Sequence, residues 1–261
     1  MRKSDSDSDG LVDAHFHFDL FKDSAEVLAE IASRRVRTIA VTNAPSVFHH
    51  TLKFSRTSPY LLPAVGLHPE LVATHGRELD SMWPLLDQTR FVGEVGLDYV
   101  TSDRENRAAQ RGVFSSIVER CATYGDKVLS VHSRRSAADV IAVIGGNYPG
   151  RVILHWFSGS RRDLDRGLEA GCFFSVGPAM VKSSNGLSLL SAMPRDRVLT
   201  ETDGPFVQSG GRPARPGDVA SVVEAIAQVW NVSQDETKST ISRNFESLLA
   251  TDLRSRPLAT A

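Results

Sequence analysis

Along the chain, short apolar runs alternate with longer stretches in which apolar residues recur every three or four positions. The short runs read as buried strands: "LVDAHFHF" (11–18), "VRTIAVTN" (36–43), "LLPAVGLH" (61–68), "RFVGEVGL" (90–97), "KVLSVHS" (127–133), "RVILHWFS" (151–158), "CFFSVGP" (172–178) and "RVLTETDGPF" (197–206). The stretches between them carry helix signals. Asp23 and Glu26 make a capping-box start ahead of Val27, Leu28 and Ile31 on one face. Val113, Phe114, Ile117, Val118 and Cys121 form a second stripe that stops near Gly125. Ser136 opens a third helix that Gly145 and Gly146 close. After the last run, "VASVVEAIAQVW" and a Ser233/Glu236 capping box before "ISRNFESLLA" add two more.

Eight strands alternating with helices predict a parallel α/β sheet, and eight units predict its closure into a single (β/α)8 TIM-like barrel over residues 11–252. The polar "MRKSDSDSDG" (1–10) reads as a disordered lead-in, too polar for a secretory leader, and 253–261 as a C-terminal tail. No apolar run reaches the length of a membrane span, so a cytoplasmic protein is expected. Cys121 and Cys172 sit in apolar surroundings far apart and read as small core residues in a reducing compartment. The formal net charge of −1 supplies no bulk field for polyanions. A nucleic-acid function would rest on local positive patches or on metal ions.

Polar residues at the strand ends change the picture. His15 and His17 are two apart, so in a strand both imidazoles project to one face, a parity that Asp13 and Asp19 share. His68, Glu94, His132, His155 and Asp203 close other runs. Each has an ordinary reading: His155 alone fits a hydrogen-bonded core histidine, and Glu94 or Asp203 alone fits a cap or an arginine partner. In a β/α barrel, however, the C-terminal strand ends surround one volume. Gathered there, these imidazoles and carboxylates match the ligand preferences of zinc or manganese, with a carboxylate able to bridge two ions. His49, His50 and His75 fall beyond the strands and read as surface residues.

The ordered segments "DAHFHFD", "VGLHPE", "GEVGLDY", "LSVHSRR", "ILHWFSGS" and "LTETDGPF" resemble the motifs of the TatD family of metal-dependent nucleases. The likeness runs from about residue 11 to about 250, ending in "SRNFESLL". The resemblance implies a barrel holding two divalent ions (Zn, Mg or Mn) and hydrolysis of phosphodiesters in DNA, commonly from the 3′ end. Carried over, it implies that His15 and His17 bind one ion, that Glu94 bridges, and that His132 and His155 bind the second. Asp203 resembles a ligand that also orients the water and accepts its proton, and His68 the residue that contacts the scissile phosphate. "HWFSGS" stands where many members read His-Cys-Phe-Thr-Gly, and "HSRR" where many read His-Cys-Arg or His-Ser-Arg. "GLHPELV", "LHWFSGSRR" and "FSVGPAM" are similar to the QatD branch of the bacterial Qat anti-phage system. That branch implies operon partner proteins including an ATPase.

Local positive charge then has a use. Arg134 and Arg135 follow the fifth run, Arg161 and Arg162 the sixth, and Arg212 and Arg215 the eighth. Arg134 and Arg135 are expected to bind substrate phosphates, against the alternative of a solvated helix start. Trp156 and Phe157 fit a barrel core better than base stacking. Two rival functions stay open: a metal-dependent amidohydrolase acting on a small amide or lactone, and a weakly active barrel subunit of a defence complex. Many amidohydrolases resemble one another in placing a modified lysine at the end of strand four, where this chain has Glu94.

Overall fold

In the computed structural model, residues 10–250 are described. The expected lead-in (save Gly10) and tail lie outside them. The strands are β1 (Val12–Phe16), β2 (Arg37–Ala40), β3 (Leu61–Val65), β4 (Phe91–Gly96), β5 (Val128–His132), β6 (Arg151–Leu154), β7 (Phe173–Val176) and β8 (Val198–Thr200). They pair in chain order, every neighbour parallel, as one eight-stranded sheet. Helices cover its outside: α1 (Ser24–Arg34), α2 (Phe48–Ser55), α3 (Val72–His75), α4 (Leu79–Met82), α5 (Arg104–Ala122), α6 (Ala137–Ile144), α7 (Arg161–Glu169), α8 (Ser184–Ala192), α9 (Val219–Trp230) and α10 (Gln234–Leu249). Strand residues such as Ile39, Val65, Val92, Leu129 and Ile153 form one core with the inner helix faces, among them Phe114, Ile117, Val118 and Cys121 of α5. Burial on both sheet faces is why these runs are continuously apolar and do not alternate.

Every expected strand forms, but each is shorter than its apolar run. The run 197–206 contributes only three strand residues. Beyond β8 the backbone stitches two neighbours together: Glu201 N–H donates to Val176 O of β7 (3.0 Å), and Asp203 N–H to His15 O of β1 (3.0 Å). His17 N–H donates to Gly204 O (3.0 Å). The seam between β8 and β1 is completed by side chains and not by a regular ladder. Thr200 Oγ1 donates to Val12 O, and the buried Asp13 carboxylate accepts from Thr202 N–H (2.9 Å) and from the Thr202 hydroxyl. Asp13, which shares the parity of His15, is thus committed to closing the barrel.

Two of the expected caps differ in detail. Asp23 precedes α1, but its carboxylate is taken by Arg215 and makes no cap hydrogen bond. Ser136 precedes α6, with its hydroxyl donating to Leu97 O (2.7 Å). Ser233 caps α10 as read, accepting from Glu236 N–H (3.1 Å). The capping box of Ser160 and Asp163 on α7 and the two-residue hairpin β9 (Gln208–Ser209) and β10 (Arg212–Pro213) were not anticipated. Both cysteines are free and buried, and burial pushes each thiol up to about 12. None of the described helices is long and apolar enough to cross a membrane.

Candidate metal centre

All seven strand-end residues singled out above converge at the C-terminal mouth of the barrel. Three conformational devices bring them there. The pleat sends His15 and His17 to the same side, placing their Nε2 atoms 3.3 Å apart. Close strand approach is permitted by glycine: a Cβ on Gly66 would lie 2.3 Å from Glu94 N, and one on Gly96 (φ 136°) would lie 2.1 Å from His132 O. Asp203 itself adopts a left-handed backbone (φ 51°), which turns its carboxylate back over β1.

Glu94 lies at the centre, and its two oxygens face different neighbours. Oε2 is 3.5 Å from His15 Nε2 and 3.4 Å from His17 Nε2. Oε1 is 2.7 Å from His132 Nδ1, 2.9 Å from His155 Nε2 and 3.3 Å from His68 Nε2. Asp203 Oδ1 completes the first group, 3.8 Å from His15 Nε2 and 3.5 Å from His17 Nε2. The rings of His15 and His155 stack with centroids 3.7 Å apart and so join the two groups. Three sets of potential ligand atoms each fall within 4.8 Å of one another: His15, His17 and Asp203; His15, Glu94 and His155; His68, Glu94 and His132.

A surrounding set of partners, not foreseen from the sequence, orients these imidazoles. Ser130 Oγ is 2.8 Å from His15 Nδ1, so the Nε2 of that ring faces the centre. Asp98 Oδ2 lies 2.8 Å from His132 Nε2 and fixes the proton there, leaving the Nδ1 lone pair for the centre. Glu201 Oε2 lies 3.7 Å from His155 Nδ1, and the same carboxylate accepts from the Ser175 hydroxyl. His68 is held differently. Its Nδ1 accepts from Glu70 N–H (3.2 Å), so in the neutral ring the proton sits on Nε2, the atom that faces Glu94.

The electrostatics fit cations. Burial opposes ionisation of Glu94, yet the surrounding imidazoles, those of His68 and His155 foremost, hold its carboxyl well below the usual range. Burial and the neighbouring His155 push His15 down to about 3. For His17 burial works the same way, but Asp203 and Glu94 outweigh it and raise the imidazole to about 9. Glu94 likewise raises His155 against burial. Carboxylates buried among imidazoles therefore draw positive charge into this volume. Imidazole nitrogens in such number beside carboxylate oxygens are donors that zinc or manganese accepts.

The family profile of TatD related DNase matches residues 12–250. The chain belongs to the TatD family. It is accordingly a metal-dependent hydrolase, and the expected barrel and chemistry class are those of its relatives. Human deoxyribonuclease TATDN3 is 27% identical over 90% of this chain and 93% of its own length. The Escherichia coli K12 metal-dependent hydrolase YcfH, described as uncharacterized, is 28% identical over 93% of this chain and 96% of its own. The crystal structure of YJJV, a TatD homolog from E. coli K12, superposes with a TM-score of 0.83 at 24% identity, covering 91% of this chain and 97% of that one.

In this TatD chain the metal cluster opens into a cleft of about 520 Å³ lined also by Asn43, Arg134, Trp156 and Phe206. The arginine expectations divide. Arg134 lines this cleft, and Arg135 lines an adjoining hollow of about 360 Å³. Arg212 pairs with Asp218 (2.9 Å), Arg215 with Asp23 and Glu30, and Arg161 with Asp165 (3.0 Å). The two aromatic residues separate as well. Phe157 is core, 1% exposed and edge-on to Phe174, whereas Trp156 faces the cleft, 37% exposed. A core role for Trp156 is thus corrected: its backbone turns left-handed and the indole points outward. His49 and His50 are exposed and His75 half-buried, away from the cluster.

Proposed function

We propose that this TatD chain is a two-metal phosphodiesterase that trims single-stranded DNA, from the 3′ end as the motif resemblance suggests. The observation that carries the reading is Glu94, one buried carboxylate with each oxygen turned to a separate group of histidines. His15, His17 and Asp203 would hold one ion, His132 and His155 the other, with Glu94 shared. A bound pair of divalent cations neutralises the anionic diester and lowers the pKa of water. Asp203, at the edge of the cluster and open to the cleft, orients the attacking water and takes its proton. His68 donates from Nε2 to a non-bridging phosphate oxygen, and Arg134 and Arg135 hold phosphates further along the strand. A carboxylate at the end of strand four, where an amidohydrolase reading calls for a modified lysine, favours the diesterase. The likeness of "GLHPELV" and "LHWFSGSRR" to QatD extends the proposal to anti-phage defence beside operon partners, one of them an ATPase.

The test is digestion of end-labelled single-stranded DNA by chelator-treated protein with zinc, manganese or magnesium added back, alongside amide and lactone substrates. Strand shortening restored by metal supports the reading, and turnover of an amide or lactone alone overturns it. Glu94→Gln keeps the side chain's size and removes its charge, so it should lose bound metal and hydrolysis together while the melting curve still reports a folded barrel. Full metal occupancy with normal turnover in that variant would remove Glu94 from the bridging role.

A further inference from the structure

Among the described residues few large apolar side chains are exposed, and two of them line the metal cleft. Trp156 follows His155 and is 37% exposed, and Phe206 follows Asp203 by three positions and is 60% exposed. Trp156 is not part of the core, which Phe157 fills beside it. Neither side chain can bind a cation of this class. Trp156 is moreover held outward against its own backbone preference: φ is 39°, a region that disfavours side chains with a Cβ. The buried Glu201 secures that conformation, accepting from Trp156 N–H through Oε1 at 3.1 Å. Phe206 is fixed against the site too, its ring edge-on to His17 with centroids 4.9 Å apart. Strained or exposed apolar residues that persist beside a reactive centre point to a ligand with a matching flat apolar face.

We propose that Trp156 and Phe206 form an aromatic platform that stacks the unpaired base of the terminal nucleotide, and so select a frayed or single-stranded end over a paired one. The inference rests on the phosphodiesterase reading and adds the determinant of substrate form. Metal ligands grip the phosphate whatever the base; a π-face beside them engages the base without reading its identity. A paired base has its faces occupied by its neighbours in the stack and cannot reach the platform.

The experiment compares two single strands, one ending in normal nucleotides and the other carrying a tetrahydrofuran abasic residue at each end. The metal-loaded protein should show a KM about tenfold lower for the normal strand. In Trp156→Ala and Phe206→Ala the two strands should converge on the same high KM, and Trp156→Phe should recover most of the difference. A structural role for Trp156 would instead lower the melting temperature without erasing base discrimination. Equal KM for both strands in the unaltered protein, or discrimination that survives both alanine variants, overturns the platform. A binding arm separates this from failure of the catalytic reading. Terminal 2-aminopurine fluorescence should fall when the strand meets metal-loaded protein and should not fall with the variants. Quenching without cleavage keeps the platform and removes the nuclease; cleavage without quenching does the reverse.

Discussion

His68 shows how one backbone contact assigns a role. Because Glu70 N–H occupies its Nδ1, the neutral ring presents a proton at Nε2, and a nitrogen carrying a proton cannot ligate an ion. His68→Ala should therefore leave metal content unchanged and lower kcat by about 10²- to 10³-fold, the usual loss for one donor to developing charge. Metal analysis, melting temperature and kcat on one preparation check this; loss of an ion would make His68 a ligand. His132 is the opposite case. Asp98 holds its Nε2 proton, so the Nδ1 lone pair is aimed at the centre. Asp98→Ala should weaken metal binding by about 10- to 100-fold, as loss of an orienting partner commonly does. Metal titration followed by activity reads the change, and activity restored at high metal concentration separates lost affinity from lost folding.

At the level of strands and helices, α10 is pinned to the barrel by Asn244. Its Nδ2 donates to Arg195 O (2.8 Å) and to Val198 O at the start of β8 (2.7 Å). Asn244→Leu leaves two carbonyls unpaired and should cost about 2–3 kcal/mol. For a chain of this size that is a fall of roughly 5–10 °C in melting temperature, read by calorimetry. Periodicity revealed all eight barrel strands and the buried stripes, because burial imposes them directly. Parity revealed His15 with His17, and it extends to a pair not foreseen, Ser130 with His132, two residues apart on β5. What stayed hidden depends on contacts across the sequence. Asp13 shares the parity of His15 yet bonds Thr202, and Asp23 has the spacing of a cap yet pairs with Arg215. A carboxylate goes to its strongest donor, and no local pattern names a donor from another part of the chain. Trp156 stayed hidden as well, since it stands in an apolar run that reads as core and nothing local marks its left-handed backbone.

For the whole molecule, the formal charge of −1 conceals an uneven surface. Arg134 and Arg135 stand exposed at the cleft and its adjoining hollow, whereas Arg212, Arg215 and Arg161 are occupied by carboxylates. Reversing Arg134 and Arg135 to Glu together should raise KM for a long single strand at least tenfold more than for a dinucleotide, and should flatten the salt dependence of binding. Equal losses on both substrates would place the damage at His132 instead. The barrel seam has a consequence of another kind. Asp13 and Thr202, which close it, are 189 positions apart, and the histidines and Asp203 lie across the same join. During synthesis the first strand leaves the ribosome long before its last partner exists. The histidine pair waits unmatched until β8 arrives, and only then do the two ends of the barrel meet around the centre. A ribosome-bound or prematurely terminated chain that lacks β8 thus carries its histidines without a working site, so hydrolytic power is withheld until the eighth strand has been made.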